Sequence, residues 1–313
     1  MKLFYADHFV LPLPPEHRFP MEKYSRLRER LMHSGAFSRS DFIVPSAATD
    51  DDILRAHDSA YLGRVINGTL AREEQRRIGF PWSAQMVERS RRSAGATLAA
   101  CRTALAEGLA ANLAGGTHHA HRDCGSGFCV FNDAAIAALA MRADGRVRRI
   151  AVVDCDVHQG DGTAAILAGE DEVFTFSMHG AKNFPFRKMH SDLDIELPDG
   201  TTDEPYLAAL RSGLDEVFVR NDPELVIYLA GADPYRNDRL GRLALSIDGL
   251  AARDEFVLRR CTERNIPVAL AMAGGYAGEI DDTVTIHVNT VLAAARLSDR
   301  RPTGRSATDS RAG

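Results

Sequence analysis

The chain has 313 residues, 45% hydrophobic and 26% charged, enough to bury the core of one large α/β domain or two smaller ones. A formal net charge of −5 argues against a dedicated nucleic-acid binder, and no apolar stretch reaches the roughly 18 residues of a membrane span. Lys2, Lys23, Lys182 and Lys188 are the only lysines, so Arg89, Arg91 and Arg92, or Arg146, Arg148 and Arg149, read as a compositional bias rather than anionic-partner patches.

From the N-terminus onward, Met1 to His8 is charged too early for a signal peptide, which predicts a cytoplasmic protein. Apolar runs of strand length stand at 2–6, 110–114, 149–155, 172–177, 225–230 and 267–272. Segments of helical period lie between them, near 21–34, 51–67, 83–109, 130–143, 203–219, 247–264 and 280–297. In the longest, Val87, Ala94, Leu98, Cys101, Leu105 and Leu109 recur three, four or seven apart, the stripe of a buried helix face. Unbroken apolar strands alternating with helices predict a parallel sheet covered on both faces, with ligands beyond the carboxyl ends of its strands. One catalytic domain over 1–298 is expected, followed by a disordered tail at 299–313 that lacks apolar residues. Five cysteines is an odd number and points to a reducing compartment. Cys124 and Cys129, with four residues between them, lack the second pair that a zinc motif needs.

The polar clusters all fall at predicted strand ends. After 110–114 comes Gly115-Gly116-Thr117-His118-His119-Ala120-His121. Alone this reads as a surface histidine cluster, but in a loop on the sheet's carboxyl rim both His118 and His119 can turn into a pocket as general base and acid. After 149–155 comes Asp154-Cys155-Asp156-Val157-His158-Gln159-Gly160-Asp161-Gly162. Strand alternation would point Asp154, Asp156 and His158 the same way, as half of a divalent-metal site. Asp233, ending the apolar run 227–232, is the candidate for the other half. Asp154 and Asp161 exceed what one metal needs; their use would be to accept hydrogen bonds from imidazoles, or, for Asp161, to cap a short helix. Gly274-Gly275-Tyr276 permits a sharp turn from which the tyrosine hydroxyl can reach an oxyanion.

These pieces, in this order, resemble the histone deacetylases and their bacterial relatives, including acetylpolyamine amidohydrolases and acetoin-utilisation proteins. The matching segments are Gly115–His119, Gly125-Ser126-Gly127-Phe128-Cys129, Val153–Gly162, Gly231-Ala232-Asp233 and Gly274-Gly275-Tyr276. Pro14 to Pro20 and the stretch His57–Tyr61 are similar too, so the resemblance covers nearly the whole chain. The His158-Gln159 pair and the run Asp233 to Gly241 look most like class IV members, though Asp161 stands where some of these carry asparagine.

The resemblance implies a three-layer α/β/α sandwich around an eight-stranded, mostly parallel sheet, the arginase/deacetylase fold. It implies Asp156, His158 and Asp233 as ligands of Zn2+, with Fe(II) or Co(II) as other metals such a site accepts. His118 and His119 become acid/base residues paired with Asp154 and Asp161, and Tyr276 polarises the substrate carbonyl. Gly127, Phe128 and Phe184 would wall an acyl-lysine tunnel with Leu240 at its mouth. Asp154, Asp156 and His158, with Ser177 and Met178, would hold a structural K+. The reaction implied is hydrolysis of a long-chain fatty acyl-lysine or an acetyl-lysine, on a peptide or a similar acylated amine, with no nucleic-acid partner. Acetylpolyamine and other small amides stay open as substrates. The further alternatives are a two-manganese ureohydrolase and a catalytically silent acyl-ligand binder. No Gly-x-Ser-x-Gly elbow supports serine-based acyl transfer.

Overall fold

The computed structural model describes residues 1–14 and 16–298; Pro15 and the expected tail at 299–313 lie outside the described residues. Eight strands form one sheet: β1 (Lys2–Phe4), β2 (Phe42–Ile43), β3 (Leu109–Asn112), β4 (Ile150–Asp154), β5 (Val173–Gly180), β6 (Leu193–Leu197), β7 (Leu225–Leu229) and β8 (Val268–Ala271). Every pairing is parallel, in the order β2-β1-β3-β8-β7-β4-β5-β6. The helices are α1 (Glu22–His33), α2 (Asp50–Leu54), α3 (Ser59–Ile66), α4 (Arg72–Ile78), α5 (Ala84–Glu107), α6 (Asp133–Ala143), α7 (Asp161–Leu167), α8 (Asp203–Asn221), α9 (Ile247–Glu263) and α10 (Ile280–Ser298).

Two hydrophobic clusters, one on each face, make this the three-layer sandwich. Ala151 and Val153 of β4 and Val226 and Tyr228 of β7 pack with Leu27 of α1, Leu210 of α8, Leu250 of α9 and Val291 of α10. The alternate residues Ile150, Val152, Leu225 and Ile227 pack with Ile53, Val65, Ile78, Leu98 and Ile136 from α2 to α6. A strand whose successive side chains are all buried must be apolar throughout, because period-two alternation sends them to both covered faces. Each such Val, Leu or Ile contributes roughly 1.5–3 kcal/mol by leaving water.

Element boundaries shift where a local cap decides them. The helix expected at 130–143 begins at Asp133, because Asn132 sits at its N-cap and accepts the Ala135 N–H at 3.0 Å. The helix expected at 51–67 is two, α2 and α3, separated by residues 55–58. The 83–109 helix ends at Glu107, followed by Gly108 at φ 92°, so Leu109 belongs to β3. Strands β2 and β6 and helix α4 have no counterpart among the expected elements. Both strands are sheet edges with half-buried residues, so they lack the apolar run that marks a central strand. None of the five cysteines forms a disulfide. Among the described residues no helix is long and apolar enough to cross a membrane.

Candidate active site

The neighbouring strands β3, β8, β7 and β4 form the middle of the sheet, and the loops leaving their carboxyl ends carry the site. Strand β4 stops at Asp154, so Asp156 and His158 are loop residues, and the strand alternation expected to align them does not operate. Side-chain turns do the work instead. Asp154 Oδ1 accepts the N–H of Asp156 at 3.0 Å, and Asp156 Oδ1 accepts the N–H of His158 at 3.0 Å. Asp233 Oδ1 accepts the Val157 N–H at 2.9 Å, tying the loop after β7 to the loop after β4. The Gly274 N–H, after β8, donates to Asp156 Oδ2 at 2.8 Å. A Cβ on Gly274 would stand 2.0 Å from Asp233 Oδ2 and 2.6 Å from Asp156 Oδ2, so only glycine lets this backbone approach.

Asp156, His158 and Asp233 are all buried and offer ligand atoms within 4.8 Å of one another. His158 Nδ1 lies 3.0 Å from Asp156 Oδ1 and 3.3 Å from Asp233 Oδ2. Asp233 Oδ2 is buried and accepts no hydrogen bond, an expensive state for a carboxylate oxygen unless a cation faces it. Burial, with the Asp156 carboxylate adding repulsion, pushes Asp233 up to about 7. Two carboxylates and one imidazole make a borderline-hard set that fits zinc or another divalent first-row metal.

His118 and His119 lie side by side with ring centroids 4.2 Å apart. His118 Nδ1 meets Asp154 Oδ2 at 2.6 Å, and His119 Nδ1 meets Asp161 Oδ1 at 2.6 Å. Each pair leaves Nε2 as the second ring nitrogen; that of His118 lies 3.8 Å from Asp156 Oδ1. Burial lowers both histidines. In His118 the carboxylates of Asp154 and Asp156 outweigh it and raise the ring to about 9. In His119 burial and the neighbouring His118 charge prevail, and it falls to about 4. Asp161, the first residue of α7, gives its second oxygen to His121 Nε2 at 2.9 Å rather than to capping the helix.

Above these groups opens a cavity of about 640 Å³ lined by His118, His119, Gly127, Phe128, Phe184, Leu240 and Tyr276. Phe128 has φ 66°, costly for a bulky residue, and is held there by donating its N–H to Ile78 O at 2.7 Å. Its neighbour Gly127 has φ 52°, and a Cβ there would press on His119 Cδ2 at 2.6 Å. The ring of Phe184 packs edge-on against His119 at 4.8 Å. Tyr276 stands beside Phe128, 5.9 Å between centroids. Burial holds its hydroxyl well above the ordinary tyrosine value, so it stays a proton donor. Ser177 and Met178 are buried on β5, with Ser177 in register opposite Asp154.

A family model described as the histone deacetylase domain matches residues 17–292. The chain belongs to the histone deacetylase family. It is accordingly a hydrolase acting on amide bonds. An uncharacterized protein of Picosynechococcus is 44% identical over 283 residues, covering 90% of this chain and 94% of that one. Histone deacetylase 2 of Arabidopsis thaliana is 34% identical, covering 83% and 70% of the two chains. A histone deacetylase-like amidohydrolase of Pseudomonas aeruginosa is 30% identical, with 93% and 80% covered. Among solved structures, an HDAC homolog complexed with SAHA superposes with a TM-score of 0.80 at 25% identity, covering 96% of this chain and 84% of that one.

Several residues that hold this histone deacetylase site together went unassigned in the sequence. Asp238 accepts the N–H groups of Leu240, Gly241 and Tyr276 at 2.8, 2.9 and 2.6 Å, fixing the mouth and the tyrosine at once. Lys23 is buried and donates to Gly275 O at 3.3 Å and Ala273 O at 3.5 Å, bracketing the Gly274-Gly275 turn. Asp133 accepts from the N–H groups of Gly116 and Thr117 at 3.0 and 2.7 Å, bracing the histidine loop. Arg253 is fully buried and donates to Gly231 O at 2.6 Å and Cys155 O at 3.1 Å, clamping the loops that carry Asp233 and Asp156. Its signal was available: Arg253 and Asp254 occupy apolar-stripe positions between Leu250 and Val257 of α9, where a charge must have a buried purpose.

Proposed function

We propose that the chain is a zinc-dependent deacylase, closest to class IV, that removes an acyl group from an acyl-lysine side chain or a similar acylated amine. The substrates favoured are acetyl-lysine and long-chain fatty acyl-lysine. The observation that carries this reading is the buried Asp156–His158–Asp233 cluster, whose Asp233 Oδ2 accepts no hydrogen bond, at the floor of an aromatic-walled cavity. Zinc held by these three residues would supply Lewis acidity toward the carbonyl and lower the pKa of a water.

The chain's own groups supply the rest. The acyl-lysine stem lies between Phe128 and Phe184, whose rings exclude water from the amide. His119 is neutral near pH 7, with Nδ1 engaged by Asp161, so its Nε2 takes the attacking water's proton. The same Nε2 then delivers a proton to the departing amine, while the positive His118, anchored by Asp154, adjusts the local charge. Tyr276, kept protonated, donates its O–H to the developing oxyanion, where one such donor is worth about 3–4 kcal/mol. Asp154, Asp156, His158, Ser177 and Met178 are the residues that would hold a structural potassium ion; the register of Asp154 against Ser177 supports that grouping.

A ureohydrolase with two manganese ions needs further carboxylates. Asp154 and Asp161 are committed to His118, His119 and His121, which favours a single ion. The test is hydrolysis of an acyl-lysine peptide series from acetyl to myristoyl, with metal content measured in parallel. One metal per chain and turnover abolished by chelation are expected. Two metals per chain, or undiminished turnover in metal-stripped protein, would overturn the reading, and a loaded protein inert to every chain length would favour the silent binder.

A further inference from the structure

We propose that the cavity mouth selects acyl-lysines flanked by acidic residues, an inference that rests on the deacylase reading and adds the chemistry of the substrate's amine side. The molecule as a whole is acidic, with a formal charge of −5, yet the cavity is rimmed by Arg18, Arg77, Lys182, Arg239 and Arg242, all exposed. The carboxylates lining the same cavity are Asp156 and Asp233, buried at its floor as the metal-ligand candidates. They offset a bound cation rather than the rim.

The rim charges are largely uncompensated. Arg242 and Lys182 share Asp199, at 3.2 and 3.9 Å. Among the described residues Arg18, Arg77 and Arg239 have no carboxylate within ion-pair distance; Arg239 instead donates to Gly278 O at 2.9 Å, and Arg18 lies over the Phe128 ring at 5.5 Å. A cleft of one sign against low-dielectric walls focuses the field and concentrates ligands of the other sign. The depth order identifies which part of the substrate meets that field. The catalytic and ligand side chains are buried and the cations exposed, so the acyl group enters past the cations and the amine's carrier remains among them. Phe186, 86% exposed at the same mouth, offers an apolar anchor suited to a peptide rather than a bare anion. A polyamine or a lysine-rich tail would meet repulsion at this rim.

Three peptides with the same acyl-lysine, flanked by Asp and Glu, by Ser and Gly, or by Lys and Arg, test this on the metal-loaded full chain. The acidic peptide should exceed the basic one in kcat/KM by about tenfold or more, mainly through KM, with the gap closing as salt rises. Fluorescence anisotropy of the same labelled peptides, which needs no turnover, should give the same order. Arg18→Glu combined with Arg239→Glu should invert the preference. Hydrolysis of all three peptides at equal rates, or of the basic one fastest, overturns the charge selection and leaves the deacylase standing. If none is hydrolysed the deacylase reading fails, and the anisotropy order alone then decides whether the rim prefers acidic peptides. Preference for succinyl- over acetyl-lysine on neutral flanks would place the anion on the acyl group and overturn it as well.

Discussion

Asp156, His158 and Asp233 are the three ligands of the proposed metal, each offering one atom, so the loss of any one would leave too few donors for a divalent ion. Asp156→Ala and His158→Ala are expected to lose bound metal and acyl-lysine turnover together, checked by metal analysis and assay of the same preparations. Tyr276→Phe would delete the proposed oxyanion donor without touching the three candidate metal ligands; kcat should fall roughly 100- to 1000-fold with metal content and melting temperature held. An unchanged kcat would make the tyrosine merely structural. Lys23 acts one step further back, through the carbonyls on either side of Gly274. Lys23→Met should lower kcat while KM and metal content stay close to wild type, a split that a general loss of folding would not produce.

Elements matter here by what they deliver to one rim. Helix α4 ends beside Phe128 and accepts its N–H, holding a left-handed aromatic against the cavity. Helix α9 inserts Arg253 beneath the loops after β4 and β7, with Asp254 accepting from Arg253 Nε at 2.8 Å and from Tyr228 Oη at 2.5 Å. Removing one partner of a fully buried pair strands the other charge. Arg253→Met should therefore destabilise the fold by about 3–5 kcal/mol in urea unfolding and also weaken metal binding, because the loops carrying Asp156 and Asp233 lose their clamp. Asp254 would lose the guanidinium that donates to it in the core, so the loss should exceed that of a neutral cavity of similar size.

The whole molecule carries buried histidines away from the reacting atoms, and these contribute to its acid stability. Burial lowers His57 to about 4, and its Nε2 accepts the Asn132 N–H at 2.9 Å, which requires an unprotonated nitrogen. His179 is likewise lowered to about 4, with burial the first cause. Unfolded, both take up a proton near 6.5, so between about 6.5 and 4 the unfolded chain binds more protons than the folded one. The share of stability that rests on these two should be intact above pH 6.5 and fall as pH drops toward 4, read as the change in melting temperature across that range. His57→Gln, which keeps an acceptor without a proton to gain, should flatten part of the slope.

Periodicity by itself determined the central parallel sheet, because strands buried on both faces must be apolar throughout and β4, β7 and β8 have no other way to be written. The order of polar clusters at strand ends likewise located His118, His119, Asp156, His158, Asp233 and Tyr276, since ligands of such sheets lie beyond their carboxyl ends. Edge strands β2 and β6 escaped because half-exposed strands have no compulsory apolar run. Only the tertiary structure decided how the polar residues converge. Asp156 and His158 are aimed by side-chain turns off the end of β4, not by strand alternation, and Asp233 meets them because β7 and β4 are adjacent although their first residues, Ile150 and Leu225, are far apart in the chain. The same holds for Lys23, Asp238 and Arg253, whose partners are backbone groups distant in the chain, and a backbone carbonyl or N–H carries no mark in the sequence of which side chain will find it.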